Sequence, residues 1–222
     1  MGASLNPTTL LHMTSDRGTV AYGWVHGRHT YRLCSPSESD GMSFLTPHAD
    51  VSVRPAIPSD ASAIAAIQIK AWQVMHTPII GDNIMAALDA DAITRQWNTT
   101  IEQAGEPGHA VMTALASDQV VGFAALIPTA LIALEVSPTH QRQGHGSRLL
   151  AACVERLRGD GIATVTCWVP RHDEPRQRFL ASAGLAPSGR VRTLDIGEQA
   201  TTSLTEERWT ASLSESDSDP TS

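Results

Sequence analysis

From residue 51 onward, apolar positions recur in two rhythms, with repeats of about two and about 3.6 residues, which separate strands from helices. Val51-Ser-Val-Arg-Pro reads as a short strand, stopped by Pro55 and Pro58. Ser59 or Asp60 then caps a helix in which Ile64, Ile67 and Ala71 fall at helical spacing. Ile84, Leu88, Ile93 and Trp97 mark a second helix over 83–104, with a break near Asp89–Asp91. The apolar runs 110–115 and 120–126 are joined by Ala116-Ser-Asp-Gln, which is hairpin chemistry. Residues 131–136 form a further strand that Pro138 ends, because proline cannot donate to a ladder.

A helix starts at about Gly146, with Leu150, Val154 and Leu157 a turn apart, and Gly159-Asp-Gly161 terminates it. Residues 163–169 are strand-like in their Val, Thr, Cys and Trp content. Asp173 or Glu174, followed by Pro175, opens another helix that stops at Gly184. Residues 190–196 and 206–213 close the order as two strands. The resulting order is β-α-α-β-β-β-α-β-α-β-β. It implies an α/β mixed sheet with helices on its faces, because β-α-β across 131–169 demands a parallel pair. Residues 1–50 are rich in Ser, Thr, Gly and His and lack helical periodicity, so they read as a flexible extension with a weak hairpin at 19–33 around His26-Gly27. Residues 51–213 then form the domain, and 214–222 an acidic, disordered tail.

Composition narrows the function. A formal charge of −7 argues against a general nucleic-acid binder. Nine of the sixteen basic residues nevertheless fall between Arg142 and Arg192, which suits one compact anionic ligand. No apolar run approaches the ~18 residues of a membrane span, and no secretory signal is evident. Cys34, Cys153 and Cys167 have no metal-ligand spacing and read as reduced thiols of a cytoplasmic protein, the latter two buried.

The chemistry concentrates in the run from Leu131 to Leu150. A strand enters a short loop with glycines at 144 and 146, and a helix leaves it at once. Such a loop turns backbone N–H groups toward one point at the positive end of a helix dipole. Gly144 and Gly146 let a diphosphate approach the main chain, and Arg142 and Arg148 add charge. A Walker-type loop is excluded, since Lys70 is the only lysine. A dinucleotide fingerprint needs a small residue where Leu149 stands.

Gln141-Arg142-Gln143-Gly144-His145-Gly146 resembles the Gln/Arg-x-x-Gly-x-Gly/Ala signature of the GNAT acetyltransferase family, with Val136-Ser-Pro138 before it and Leu149-Leu150 after it. Val53-Arg-Pro-Ala56 followed by Asp60 resembles the family's opening strand and helix cap, and Arg178–Leu185 its fourth-helix motif. The resemblance covers about residues 51–213. It implies a mixed, mostly antiparallel sheet of about six to seven strands with helices on both faces, splayed where an acyl-CoA arm enters. By the same likeness, acetyl-CoA is the co-substrate and no metal is needed. Backbone groups at Leu134 and Val136 would pair with the pantetheine arm, and the N–H groups of Gln141, Arg142, Gln143, Gly144, His145, Gly146 and Ser147 would hold the pyrophosphate.

The implied reaction is direct transfer of an acetyl group to a primary amine, with a backbone N–H near Val136 steadying the oxyanion. Glu135 and His140 are the candidate bases. Two positions depart from the family habit: Leu180 stands where a tyrosine often serves as general acid, and Asp173 where asparagine is common. Water or Ser182 would then supply the proton. The family's acceptor site lies by the loop after the first helix, here Trp72, His76, Thr77, Pro78 and Ile79, with 190–194 opposite. Trp168 and Trp209 are expected in the core. Partners are a small-molecule or peptide amine, with neither nucleic acid nor membrane, and homodimers are common in the family. The alternative reading is an acyl-CoA-binding module without catalysis, a sensor, which Leu180 favours.

Overall fold

A computed structural model of the chain describes residues 12–15, 18–21, 51–86, 88–128, 130–196 and 202–214. In chain order the strands are β1 (His12–Ser15), β2 (Gly18–Ala21), β3 (Val51–Pro55), β4 (Ala110–Ala116), β5 (Gln119–Ile127), β6 (Ala130–Val136), β7 (Thr164–Pro170), β8 (Ala186–Ile196) and β9 (Thr202–Ser212). The α-helices are α1 (Ala61–Ile80), α2 (Asp82–Ala86), α3 (Ala90–Gln103), α4 (His145–Gly159) and α5 (Glu174–Ser182). All nine strands form one sheet in the order β2-β1-β8-β9-β7-β6-β5-β4-β3. Among the described pairings only β6–β7 is parallel.

The seven strands β3–β9 are the mixed, mostly antiparallel sheet expected. β1 and β2 lengthen it at the β8 edge, where Thr14 is opposite Asp195. The hairpin expected around His26-Gly27 and the tail beyond residue 214 lie outside the described residues.

Each helix forms where its face has something to cover. Asp60 stands at the start of α1, but its side chain makes no capping bond to that helix. Its carboxylate accepts from Arg54 at 2.6 and 3.0 Å and from the Ile57 N–H at 2.9 Å, tying β3 to the turn before the helix. Burial opposes the Asp60 charge, but the Arg54 and Ile57 hydrogen bonds outweigh it and hold the carboxyl below its ordinary value. α1 then runs to Ile80, so the loop expected at Trp72–Ile79 is helix. Pro78 sits within its last turn, where the backbone bond it cannot make is one near an end, and Gly81 stops the helix at φ 85°. The expected break at Asp89 is present, with Asp89 accepting from the Ala92 N–H at 2.9 Å as the N-cap of α3.

Two apolar clusters lie on opposite faces of the sheet. Leu149, Cys153 and Leu157 of α4 join Val165 and Val169 of β7 and Leu180 of α5 on one. Ile64 and Ile67 of α1 join Ile93 and Trp97 of α3 and Phe123 of β5 on the other. At ~1.5–3 kcal/mol for each large side chain removed from water, these clusters fix which helix lies on which face.

Candidate active site

The site begins with an irregularity in the sheet. Along β5–β6 the register passes from Ala125↔Ala133 to Leu126↔Leu131, so Ile132 is one residue too many. Such a bulge bends its strand and breaks the alternation of faces. Leu131, Leu134 and Val136 pack toward α4, Ile132 and Ala133 toward α1. Glu135 sits opposite Phe123, a member of the α1-side cluster. Among the described residues β6 and β7 are paired only at Ala130↔Thr166. The gap is lined by Leu131–Leu134 of β6, Cys167–Val169 of β7, and Arg176, Phe179 and Leu180 of α5. This is the splay that was expected, and unpaired strand edges in it present backbone N–H and C=O groups that need partners.

At the far end of β6 a 3-10 turn over Pro138–His140 leads into the loop before α4. Two left-handed residues shape it, Arg142 at φ 63° and Gly144 at φ 87°. Gly144 is the N-cap of α4 and supplies no side chain to the first-turn N–H groups, so His145, Gly146 and Ser147 present them outward. Side chains brace the loop from outside: the Gln141 amide donates to the Val136 carbonyl (3.2 Å), the Gln143 amide to the Thr139 carbonyl (3.3 Å), and Arg148 to the Gln143 carbonyl (3.4 Å). A Cβ on Gly146 would make only ordinary contact with Phe179 and Val136, 3.7–3.8 Å away, so packing within the protein leaves room for a small side chain there. The arrangement fits a diphosphate at a helix N-terminus.

His145 is the unexpected member of the loop. Its side chain is 1% exposed, with no hydrogen-bond partner at either ring nitrogen. Burial first, then the charges of His140 and Arg148, lower its pKa, so it packs as a neutral ring. His140 lies edge-on to it with centroids 6.2 Å apart and shares a hydrogen bond of 3.0 Å with the Thr139 hydroxyl.

Glu135, a candidate base by sequence, is held by an ion pair within the protein. Arg176 reaches from α5 through the gap and donates to Glu135 Oε1 at 2.7 Å, to Asp173 Oδ2 at 2.9 Å and to the Leu134 carbonyl at 3.3 Å. Burial opposes the Arg176 charge, but Glu135 and Asp173 outweigh it and hold the guanidinium protonated. Asp173 also caps α5, accepting from the Arg176 N–H at 3.1 Å. Sequence reading missed this cluster because Arg176 and Glu135 are 41 residues apart; the available signal was an arginine one turn into a helix pointing at the motif strand.

Around this cluster lie residues of α1 and of the strands beyond the gap. His76 of α1 is held neutral, its pKa lowered to about 4 by burial first and then by the charges of His172 and Arg176. Trp168, expected in the core, instead lines the gap and carries the Arg192 guanidinium 4.3 Å above its ring. Trp209 is in the core as expected. Leu180 is 3% exposed, and the Ser182 hydroxyl donates to the Phe179 carbonyl at 2.7 Å, turned onto its own helix. Burial pushes the Cys153 and Cys167 thiols up to about 12, so both are neutral. Five of the nine basic residues between 142 and 192 are engaged in ion pairs (Arg156, Arg171, Arg176, Arg178 and Arg192), while Arg142 and Arg148 lie at the loop itself. Among the described residues no group of three His, Cys, Asp or Glu side chains is placed to hold a metal, and no helix is long and apolar enough to cross a membrane.

Comparison with known proteins agrees with this geometry. Residues 78–185 match the family model described as the acetyltransferase (GNAT) family. Among solved structures, YncA of Salmonella typhimurium, with its cofactor acetyl-CoA, superposes with a TM-score of 0.57 at 19% identity, over 75% of this chain and 95% of that one. The PaiA N-acetyltransferase of Thermoplasma acidophilum, in complex with coenzyme A, gives 0.56 at 15% identity over 70% and 97%. The ribosomal-protein-alanine N-acetyltransferase of Brucella melitensis gives 0.57 at 22% identity over 72% and 99%. No curated protein matches the chain by sequence.

Proposed function

We propose that this chain, whose residues 78–185 match the model of the acetyltransferase (GNAT) family, transfers an acetyl group from acetyl-CoA to a primary amine. The observation that carries the reading is the one described bridge between β6 and β7, Ala130↔Thr166, with a glycine-capped helix N-terminus beyond the end of the same strand. A phosphate anchor and an open strand edge in line suit a ligand with a diphosphate at one end and an amide-bearing arm. In this reading the N–H groups of Gln141–Ser147 hold the pyrophosphate, and the Leu134–Val136 edge pairs with the arm. The domain spans 51–213.

The thioester supplies an activated acyl group with a thiolate leaving group. The chain supplies position and proton handling. An amine enters from the α1 side, where Glu135, Asp173 and Arg176 sum to one negative charge and attract an ammonium. That ammonium must lose a proton before attack, since its pKa is ~8 to ~10.4. Glu135 and His140 are the groups proposed to receive it, directly or through water, and a backbone N–H near Val136 faces the developing oxyanion. Leu180 offers no proton to the departing sulfur, so solvent supplies it.

A second reading, an acyl-CoA-binding module without turnover, is favoured by the buried Leu180 and the turned-in Ser182 hydroxyl. Calorimetric titration with acetyl-CoA, with ATP for comparison, tests the shared part. One-site binding of acetyl-CoA alone is expected, weakened about tenfold in Gly144→Ala, because a side chain at that φ costs ~1–2 kcal/mol. Thiol release across a panel of amines then separates the two readings, and its absence with every amine favours the module. No acetyl-CoA binding to folded protein would end both.

A further inference from the structure

We propose that Arg176 is a latch across the path of the acyl arm, the residue whose displacement sets how tightly that arm is held. The inference rests on the acyl-CoA reading above and adds a determinant of affinity to it. Beyond the Ala130↔Thr166 bridge the facing edges of β6 and β7 share no described ladder pair. Strand edges in such a gap are satisfied by an extended ligand carrying amides, as an added strand would be. One of those groups is already taken, because the Leu134 carbonyl accepts from Arg176 Nη1 at 3.3 Å.

The position along the strand makes that bond consequential. The phosphate cradle follows Val136, and the inner end of the gap is lined by Leu131 and Cys167. A ligand anchored at the first and reaching the second must pass Leu134. Arg176 lies across this route, bonded to β6 at Leu134 and Glu135 and to its own helix cap at Asp173. Releasing the carbonyl leaves both carboxylates bonded to the guanidinium, so the latch opens without exposing an unpaired buried charge. The carbonyl is thereby freed for the arm.

The test separates the arm from its phosphates. Dissociation constants are measured for acetyl-CoA and for adenosine 3′,5′-bisphosphate, which has the 3′-phosphate and the first 5′-phosphate but neither the second 5′-phosphate nor the arm. The proteins are the wild type, Arg176→Met and Arg176→Lys, the last keeping the charge in case the methionine variant does not fold. The ratio of the two constants cancels any general change in charge or stability. A latch predicts that acetyl-CoA tightens relative to the bisphosphate by on the order of tenfold, the worth of one hydrogen bond no longer in competition. An unchanged ratio, or acetyl-CoA weakened more than the bisphosphate, overturns the latch and leaves the acyl-CoA reading standing. No acetyl-CoA binding by any of the folded proteins overturns both.

Discussion

His76 shows how neighbours set the state of a single group. Burial lowers its pKa most, His172 and Arg176 lower it further, and Asp173 pulls the other way, for a value of about 4. An unfolded histidine takes up its proton near ~6.5. Between the two values the unfolded chain binds a proton that the folded chain refuses, so acid favours unfolding. The stability tied to the neutral ring is whole above ~6.5, and lost progressively down to about 4. We expect His76→Gln to remove roughly 2–3 kcal/mol of the loss across that window. Denaturant titrations of both proteins at several pH values check this, and parallel pH profiles would show that His76 is solvated.

At the scale of elements, β6 does two jobs that its bulge reconciles. The extra residue Ile132 leaves Leu134 and Val136 facing α4 while Glu135 faces α1. Gly122 of β5 makes room for this: a Cβ there would lie 2.9 Å from the Glu135 carbonyl and 3.2 Å from Leu149 and Val136. Backbone cannot yield as a flexible side chain does, so Gly122→Ala is expected to cost ~1–3 kcal/mol. It should also weaken acetyl-CoA binding by shifting the β6 edge. Chemical denaturation and calorimetry on the variant would measure the two effects, and full stability would show that the strands separate freely there.

For the whole molecule, the consequence of an open seam between β6 and β7 is that a ligand completes the sheet. Anything bound there only in the folded state stabilises it by mass action, ~2.7 kcal/mol at a hundred times its dissociation constant. For a chain of this size that is a rise of roughly 5–10 °C in melting temperature. Saturating acetyl-CoA should produce such a rise, accompanied by slower amide exchange in 131–136. A rise without protection in that strand would move the arm elsewhere.

Much of this was legible along the chain because its causes are local. The order of elements follows from apolar period, proline and cap residues such as Asp89 and Asp173, each of which acts within a few positions of itself. The strand–loop–helix geometry around Gly144 was legible too, since strand, Gln141–Gly146 and helix are contiguous and glycine enters the left-handed region cheaply. What needed the tertiary structure was everything set by distance across the fold. The helical path of Trp72–Pro78, the place of Trp168 on the gap, the orphaned ring of His145 and the tie between Arg176 and Glu135 depend on how layers pack. A period of two cannot foretell an inserted residue in β6, nor can spacing reveal a guanidinium that passes between two strands to find its charge partner.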